Sequence, residues 1–238
     1  MTSFAHPREI LITGASSGIG AALALAYAMP RNRLHLGGRD QDRLRHIAAQ
    51  ARNAGAVCET RVVDVTDPAG MHDWIAPLSE LDLVIANAGI SVSTRKKGAA
   101  ADIADADVFA TNVDGVVNTV SPAITSMLAR GHGQIALMSS LASFHPFRDA
   151  PAYCASKAAV RFYGAGLRRA HADAGLGVSV ICPGFVRSPM TAANTFTMPF
   201  LMDAEKTAAL IRRRLAMNKS MTAFPLPMYL AVRMLALL

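Results

Sequence analysis

Tyr153-Cys154-Ala155-Ser156-Lys157 sets a phenol and an ammonium four residues apart. On a helix, side chains at i and i+4 share a face. An ammonium held beside a phenol favours the phenolate, and a phenol that ionises near neutral pH exchanges protons with an alcohol or a carbonyl. The pair therefore reads as a general acid/base. Upstream, the apolar run Ile135-Ala136-Leu137-Met138 ends in Ser139-Ser140 and puts a hydroxyl donor at a strand's carboxyl end, where reactive groups of open α/β sheets collect. By itself Tyr-x-x-x-Lys equally fits an amphipathic helix with a solvated lysine, so its surroundings decide.

Those surroundings begin with Ile10-Leu11-Ile12, a short buried-strand run leading directly into Thr13-Gly14-Ala15-Ser16-Ser17-Gly18-Ile19-Gly20. Ile19, Ala22, Leu23, Ala26 and Tyr27 then recur at helical spacing until Pro30. Strand, glycine loop and helix in succession let a backbone approach a pyrophosphate whose charge sits at the helix amino terminus. The spacing is G-x-x-x-G-x-G, not the G-x-G-x-x-G dinucleotide fingerprint, and a glycine-rich turn without a ligand is the rival.

A second strand, Leu34-His35-Leu36, runs into Gly37-Gly38-Arg39, and Leu44, Ile47, Ala48 and Ala51 predict the next helix. At the end of the second strand of such a βαβ unit a carboxylate would meet a ribose 2′-hydroxyl and an arginine a 2′-phosphate. Arg39 stands there and favours a phosphorylated dinucleotide; Asp40 beside it argues the other way. Val62-Val63 ends a third strand at Asp64, which is placed to accept from an adenine amino group, and Met71, Trp74, Ile75 and Leu78 mark one face of a helix after Asp67-Pro68. Leu81 to Ala86 reads as a fourth strand closing on Asn87-Ala88-Gly89, small residues that suit a backbone passing close to a cofactor. The polar stretch from Ser91 to Asp107, with Arg95-Lys96-Lys97-Gly98, reads as an exposed loop and helix start. Asn112 falls inside an apolar-periodic segment (Val108, Phe109, Val113, Val116, Val117, Val120) and must find buried partners.

Composition narrows the class. At 238 residues and 52% apolar, the chain is sized for one large α/β domain. Three separated cysteines, Cys58, Cys154 and Cys182, match neither a disulfide framework nor metal-ligand spacing; with no signal-peptide core and no long apolar run, they place the protein in the cytoplasm, with no metal. The formal charge of +7 comes from scattered residues, and an anionic small molecule explains it as well as nucleic acid would.

Taken together, Thr13 to Gly20, Asn87-Ala88-Gly89, Asn112, Ser140, Tyr153-x-x-x-Lys157 and Pro183-Gly184 resemble, in order and approximate spacing, the classical short-chain dehydrogenases/reductases over roughly residues 8 to 215. The resemblance implies a single Rossmann-like domain over 1–238, a doubly wound parallel sheet with helices on both faces, interconverting an alcohol and a carbonyl with NADP(H) in preference to NAD(H). It implies Tyr153 as acid/base, Lys157 lowering its pKa and binding the nicotinamide ribose, Ser140 holding the substrate oxygen and Asn112 supporting a proton-relay water. The cofactor would lie against Gly14, Ser16, Ser17, Gly18, Ile19, Gly20, Arg39, Asp64, Val65, Asn87, Ala88, Gly89, Tyr153, Lys157, Pro183, Gly184, Val186 and Ser188. Ser188 replaces the threonine usual there but keeps a hydroxyl for the carboxamide. The expected partners are a small, apolar carbonyl or alcohol and further copies of the chain, without nucleic acid. A non-catalytic dinucleotide-binding regulator or a membrane-surface protein on the same fold is the alternative.

Two segments depart from that pattern or stand outside it. Thr191 to Met202, with its phenylalanines and methionines, reads as a substrate lid or as a loop packed on the core. In Lys219 to Leu238 no glycine-ending last strand is evident; the segment reads as an apolar extension in which the run from Met228 to Leu238 is interrupted only by Arg233. A helix without a solvated face has three fates: packing on its own core, burial in a subunit interface, or lying on a membrane. Covering the substrate pocket or a dimer partner is favoured, and membrane contact is not.

Overall fold

The computed structural model describes residues 4–91, 105–192, 194 and 196–236; the basic run Arg95-Lys96-Lys97-Gly98 lies outside them. One sheet holds β1 (Glu9–Thr13), β2 (Arg33–Gly38), β3 (Val57–Val62), β4 (Leu83–Ala86), β5 (Gly133–Met138), β6 (Leu176–Pro183) and β7 (Met221–Phe224). Its order is β3-β2-β1-β4-β5-β6-β7, with every adjacent pair parallel. The chain winds outward from β1 in one direction and then, from β4, in the other. That reversal between β1 and β4 opens a crevice at the strands' carboxyl ends.

Parallel strands covered on both faces have to be apolar nearly throughout. Here successive side chains of one strand serve opposite layers: Ile10 and Ile12 pack with Leu23 and Ala24 of α1 (Gly18–Ala26), Leu44 of α2 (Gln41–Asn53) and Ile211 of α8 (Ala204–Ala216). Leu11 joins the other layer, with Met71 of α3 (Pro68–Ile75), Val116 and Val120 of α5 (Gly115–Arg130) and Val160 of α6 (Pro151–Ala170). Before α5 come α4 (Asp105–Phe109) and a wider π turn over Ala110–Asp114. A 3-10 turn, Leu141–Phe144, follows β5; α7 (Pro189–Ala192) follows β6, and α9 (Leu226–Leu235) follows β7.

Two readings of the sequence change. The helix over Met71, Trp74 and Ile75 stops at Ile75, and Leu78 packs on the core from the turn beyond it. The last strand does exist: Met221-Thr222-Ala223-Phe224 pairs in parallel with Val180 to Pro183. It was hidden because it is only four residues long and runs into Pro225 instead of a glycine. Gly184 N–H donates to Phe224 O at 2.7 Å, so β7 also anchors the chain as it leaves β6.

α6 is the longest helix described and is held to the sheet at a bare spot. A methyl group added at Gly164 would lie 2.5 Å from Val180 Cγ2 and 2.7 Å from Leu137 Cδ1, both on buried strand residues. Four residues further on, Arg168 donates to Val178 O at 2.6 Å and to Asn218 Oδ1 at 2.9 Å. Gly164→Val should therefore lower the unfolding free energy of the ligand-free protein by about 1–3 kcal/mol in denaturant titration, the usual cost of overpacking a dense core. An unchanged midpoint would mean that α6 is not seated on the sheet at this residue.

Candidate active site

The loop after β1 is built from backbone freedom and close approach. Gly14 and Gly18 have φ of +64° and +54°, values that L side chains disfavour. A Cβ at Gly20 would fall 2.2 Å from Gly14 O, so the first turn of α1 folds directly onto the loop. Ser17, the residue before α1, makes no side-chain cap bond, which leaves the first-turn N–H groups and the positive end of the helix dipole facing the crevice.

The loop is clamped from β4. Thr13 Oγ1 accepts the N–H groups of Asn87 (3.1 Å) and Ala88 (3.2 Å), while Asn87 Nδ2 donates to Thr13 O (3.0 Å) and Gly14 O (3.2 Å). Sequence reasoning missed Thr13 in this role; its position directly ahead of Gly14 was the available signal. Gly89 continues the clamp, since a Cβ there would stand 3.1 Å from Asn112 Oδ1 and 3.2 Å from Lys157 Nζ.

Asn112 is fully buried in the π turn. It accepts from Ile90 N–H (2.8 Å) and donates to Ile90 O and to Ser156 Oγ (both 3.0 Å); Ser156 Oγ donates in turn to Tyr153 O (2.8 Å). Both of its donors are thus committed, and the side chain braces the β4 loop against α6. That answers the burial puzzle posed by the sequence, through Ser156, a residue that spacing alone did not single out.

Tyr153 and Lys157 project from the first two turns of α6, where Pro151 opens the helix. Ser139 Oγ donates to Lys157 O at 2.7 Å and fixes this end to the tip of β5. Lys157 is buried, its Nζ donating to Met138 O at 2.9 Å and standing 5.8 Å from the centre of the Tyr153 ring. Burial pulls its pKa down to about 8, against a smaller opposing effect of Cys182. Burial also raises Tyr153, and the bond from Ser140 offsets this only in part. The chain alone therefore does not depress the phenol's pKa as expected: desolvation is the largest influence, and Lys157 is not among the groups that lower it. Ser140 caps the 3-10 turn, accepting from Ala142 N–H at 3.1 Å, and its hydroxyl also reaches the Tyr153 phenol.

At the far end of the crevice, Asp64 accepts from Thr66 N–H (3.0 Å) and Thr66 Oγ (2.9 Å) and lies 3.6 Å from Arg39 Nη1. Its carboxyl is desolvated, but the Thr66 bonds and Arg39 outweigh that and hold its pKa below the ordinary value. Asp40 is occupied as well: it caps α2, accepting Arg43 N–H at 3.0 Å and Arg43 Nε at 2.6 Å. Arg43 is thus a second cation beside Arg39 that the sequence reading passed over.

Beyond Pro183 and Gly184, Val186 bridges to Met202, and Ser188 exchanges hydrogen bonds with Thr191. Ser188 Cβ would be 3.0 Å from a Cβ at Gly18, so the two rims of the crevice meet here. With the exception of Gly20 and Asn112, which lie buried behind its wall, the structure gathers the sequence-derived residues, Val65 included, around one cavity of about 1250 Å³ that runs from Arg39 and Arg43 past Gly14, Asn87 and Tyr153 to Phe196 and Leu235. Leu141, Phe147, Phe185 and Met190 add an apolar wall beyond Tyr153 that spacing did not reveal, and Met228 and Val232 of the apolar C-terminal run line it as well. The uncapped α1 terminus, the glycine loop with its small residues and the buried ammonium fit a dinucleotide laid along the strand ends.

Known proteins agree with this geometry. The family model described as "short chain dehydrogenase" matches residues 8–198. An uncharacterized oxidoreductase of Myxococcus xanthus is 35% identical over 231 residues, covering 95% of this chain and 91% of that protein. Among solved structures, a short-chain dehydrogenase from Sphingobium yanoikuyae in complex with NADPH superposes with a TM-score of 0.83 at 26% identity, over 97% of this chain and 92% of the other. The bulky-bulky ketone specific alcohol dehydrogenase from Comamonas testosteroni gives 0.81 at 25% identity, over 92% and 86%. The chain belongs to the short-chain dehydrogenase/reductase family and is an oxidoreductase of NAD(P)-dependent type.

Proposed function

We propose that the protein is an NADP(H)-dependent oxidoreductase acting on a bulky, apolar ketone or the matching secondary alcohol. The observation that carries this reading is the convergence of Ser140, Tyr153 and Lys157 at one point of the cavity, between the glycine loop and the apolar wall. Bound there, the nicotinamide would supply or take the hydride, and in its oxidised form it would bring the positive charge that the phenol otherwise lacks. Tyr153 then delivers its proton to the carbonyl oxygen, or removes it from the alcohol, with Ser140 donating to the same oxygen. Lys157, whose ammonium has donors to spare beyond Met138 O, holds the ribose hydroxyls. Asn112 acts as the brace that keeps α6 and the β4 loop in register, and supports any relay water through groups other than its two amide donors.

The NADP preference is supported by Arg39 and Arg43 at the end of β2, with Asp40 tied up as the α2 cap. The NADPH complex of the Sphingobium relative and the bulky-ketone specificity of the Comamonas one agree with both halves of the proposal. The segment from Thr191 to Met202 would act as a substrate lid, since Thr191, Asn194 and Phe196 line the cavity. A non-catalytic dinucleotide binder would have no use for Ser140 and the Tyr153–Lys157 pair.

Three measurements test this. Tyr153→Phe removes the exchangeable proton but keeps the ring, so turnover of a ketone panel should fall by at least ~10²-fold with cofactor affinity little changed; near-normal turnover would refute the acid/base role. Arg39→Ala should reduce the NADP over NAD preference in kcat/KM by about tenfold, the value of one charge-assisted bond. Equal preference in both proteins would assign selectivity to another group.

The third concerns pH. Lys157 binds ribose hydroxyls as the ammonium, a form fully present below its pKa of about 8 and lost above it. Cofactor affinity, by calorimetric titration, should thus weaken as pH rises from 8 to 9.5, by no more than ~10-fold per pH unit. Lys157→Met should bind more weakly at pH 7 and lose this dependence; a wild-type profile flat through pH 9.5 counts against the assignment.

A further inference from the structure

Where the chain leaves β6 it closes on itself: Met202 N–H donates to Phe185 O at 3.0 Å and Arg187 N–H to Met202 O at 2.9 Å. Thr191 Oγ1 donates to Val186 O at 2.7 Å, and Asn194 N–H donates to Thr191 O at 3.1 Å, so Asn194 is tied back to this base and lines the cavity. Phe196, two residues on, meets Phe185 of the apolar wall edge-on at 5.7 Å. The amide of Asn194 is poorly served. Its Nδ2 donates to Met198 Sδ at 3.3 Å, a weak acceptor, while Oδ1 is shut off from solvent and accepts from no group among the described residues. A buried acceptor without a donor bears the full cost of its desolvation, and in a native fold such a group calls for an explanation.

We propose that Asn194 is a specificity-determining residue whose Oδ1 accepts from a hydroxyl or N–H that the substrate carries away from its reacting carbonyl. The χ2 torsion of an asparagine is soft, so Oδ1 turns to such a donor and gives up only the bond to sulfur. A water is the poorer occupant, because it needs roughly two to four polar partners, whereas a donor held on a bound molecule needs only this one. An acceptor set beside aromatic side chains also discriminates well, since a ligand without the donor leaves it unpaired. Charge narrows the class further. Apart from Lys157 and Asp149, the charged residues lining the cavity follow β2 and β3, so among the described residues no cation on the substrate side awaits a carboxylate or a phosphate. The substrate is thus a bulky ketone or secondary alcohol that bears a hydroxyl or N–H and no anionic group; that it is a ketone or alcohol rests on the function proposed above.

Calorimetric titration of benzophenone and its ortho-, meta- and para-hydroxy derivatives into the full chain saturated with NADP+ tests this without turnover. At least one hydroxy isomer should bind wild type ~10-fold more tightly than benzophenone does, and its methyl ether should lose that gain, since an ether accepts but does not donate. Asn194→Leu should bind that isomer and benzophenone alike, with the thermal melt and NADP+ affinity unchanged. Asn194→Asp, which keeps an acceptor, should retain the preference. The proposal is overturned if wild type binds no isomer more tightly than benzophenone, if the methyl ether binds as tightly as the phenol, or if the preference survives in Asn194→Leu. Reduction with NADPH is read separately. A wild type that prefers the hydroxy isomer in the NADP+ complex yet reduces none of these ketones refutes the function proposed above and leaves Asn194 as the group that reads the donor.

Discussion

A lysine ammonium taken out of water is the constraint on which this architecture turns. Removing Lys157 from solvent costs several kcal/mol unless its donors find acceptors, and the chain provides Met138 O at the tip of β5. Everything nearby is arranged to hold that position: Ser139 grips the lysine's own carbonyl, Gly89 leaves room for Nζ, and Asn112 locks the β4 loop to α6 through Ser156. A buried cation with unfilled donors is a poor stabiliser of a fold and a good receptor for hydroxyl groups. The lowered pKa of Lys157 and the raised pKa of Tyr153 express the same fact, an environment that resists charge until a ligand compensates it.

The crevice at the β1–β4 reversal explains why residues so far apart in sequence meet. Each strand that borders it delivers its functional group just past its last residue: Gly14 after β1, Arg39 after β2, Asn87 after β4, Ser140 after β5, Gly184 after β6. The same topology sorts the ends by chemistry. Cations gather beyond β2, backbone donors at the centre, and aromatic and aliphatic side chains on the far side, where the chain after β6 and the last helix close over.

Much of this was legible in the sequence because strand ends and glycine loops leave local signals. The runs Ile10 to Ile12 and Ile135 to Met138 mark buried parallel strands by apolarity alone, and the chemistry follows directly after them. The helix over Val108 to Val120 was legible as helix, but its π turn at Ala110–Asp114 was not, because nothing in apolar spacing distinguishes a wider turn. β7 was illegible for the reason that any four-residue edge strand is: its identity comes from pairing with β6, a contact distant in sequence. Spacing could not anticipate the direction of the Tyr153 shift either. Four residues on a helix fix which side chains are neighbours, but burial decides the sign of the pKa change. Much of the apolar wall was hidden because Leu141, Phe147 and Phe185 come from separate segments, whereas the C-terminal run that adds Met228 and Val232 was apolar enough to be read as a cover for the pocket or a partner.

α6 has one further property. Its functional groups occupy the first two turns, tied to the tip of β5 through Ser139 and Lys157, and a second set of attachments to the sheet, Gly164 and Arg168, seats the other end, with Arg168 about 22 Å along the axis from Tyr153 at a rise of ~1.5 Å per residue. The helix is thus a beam held at both ends: a tilt at the Gly164 contact reaches the phenol only by straining the bonds of Ser139 and Lys157 to the end of β5. The precision of the reacting geometry is therefore set partly by Leu137, Val180 and Asn218. Variation at those positions would adjust turnover without altering any atom that a substrate touches.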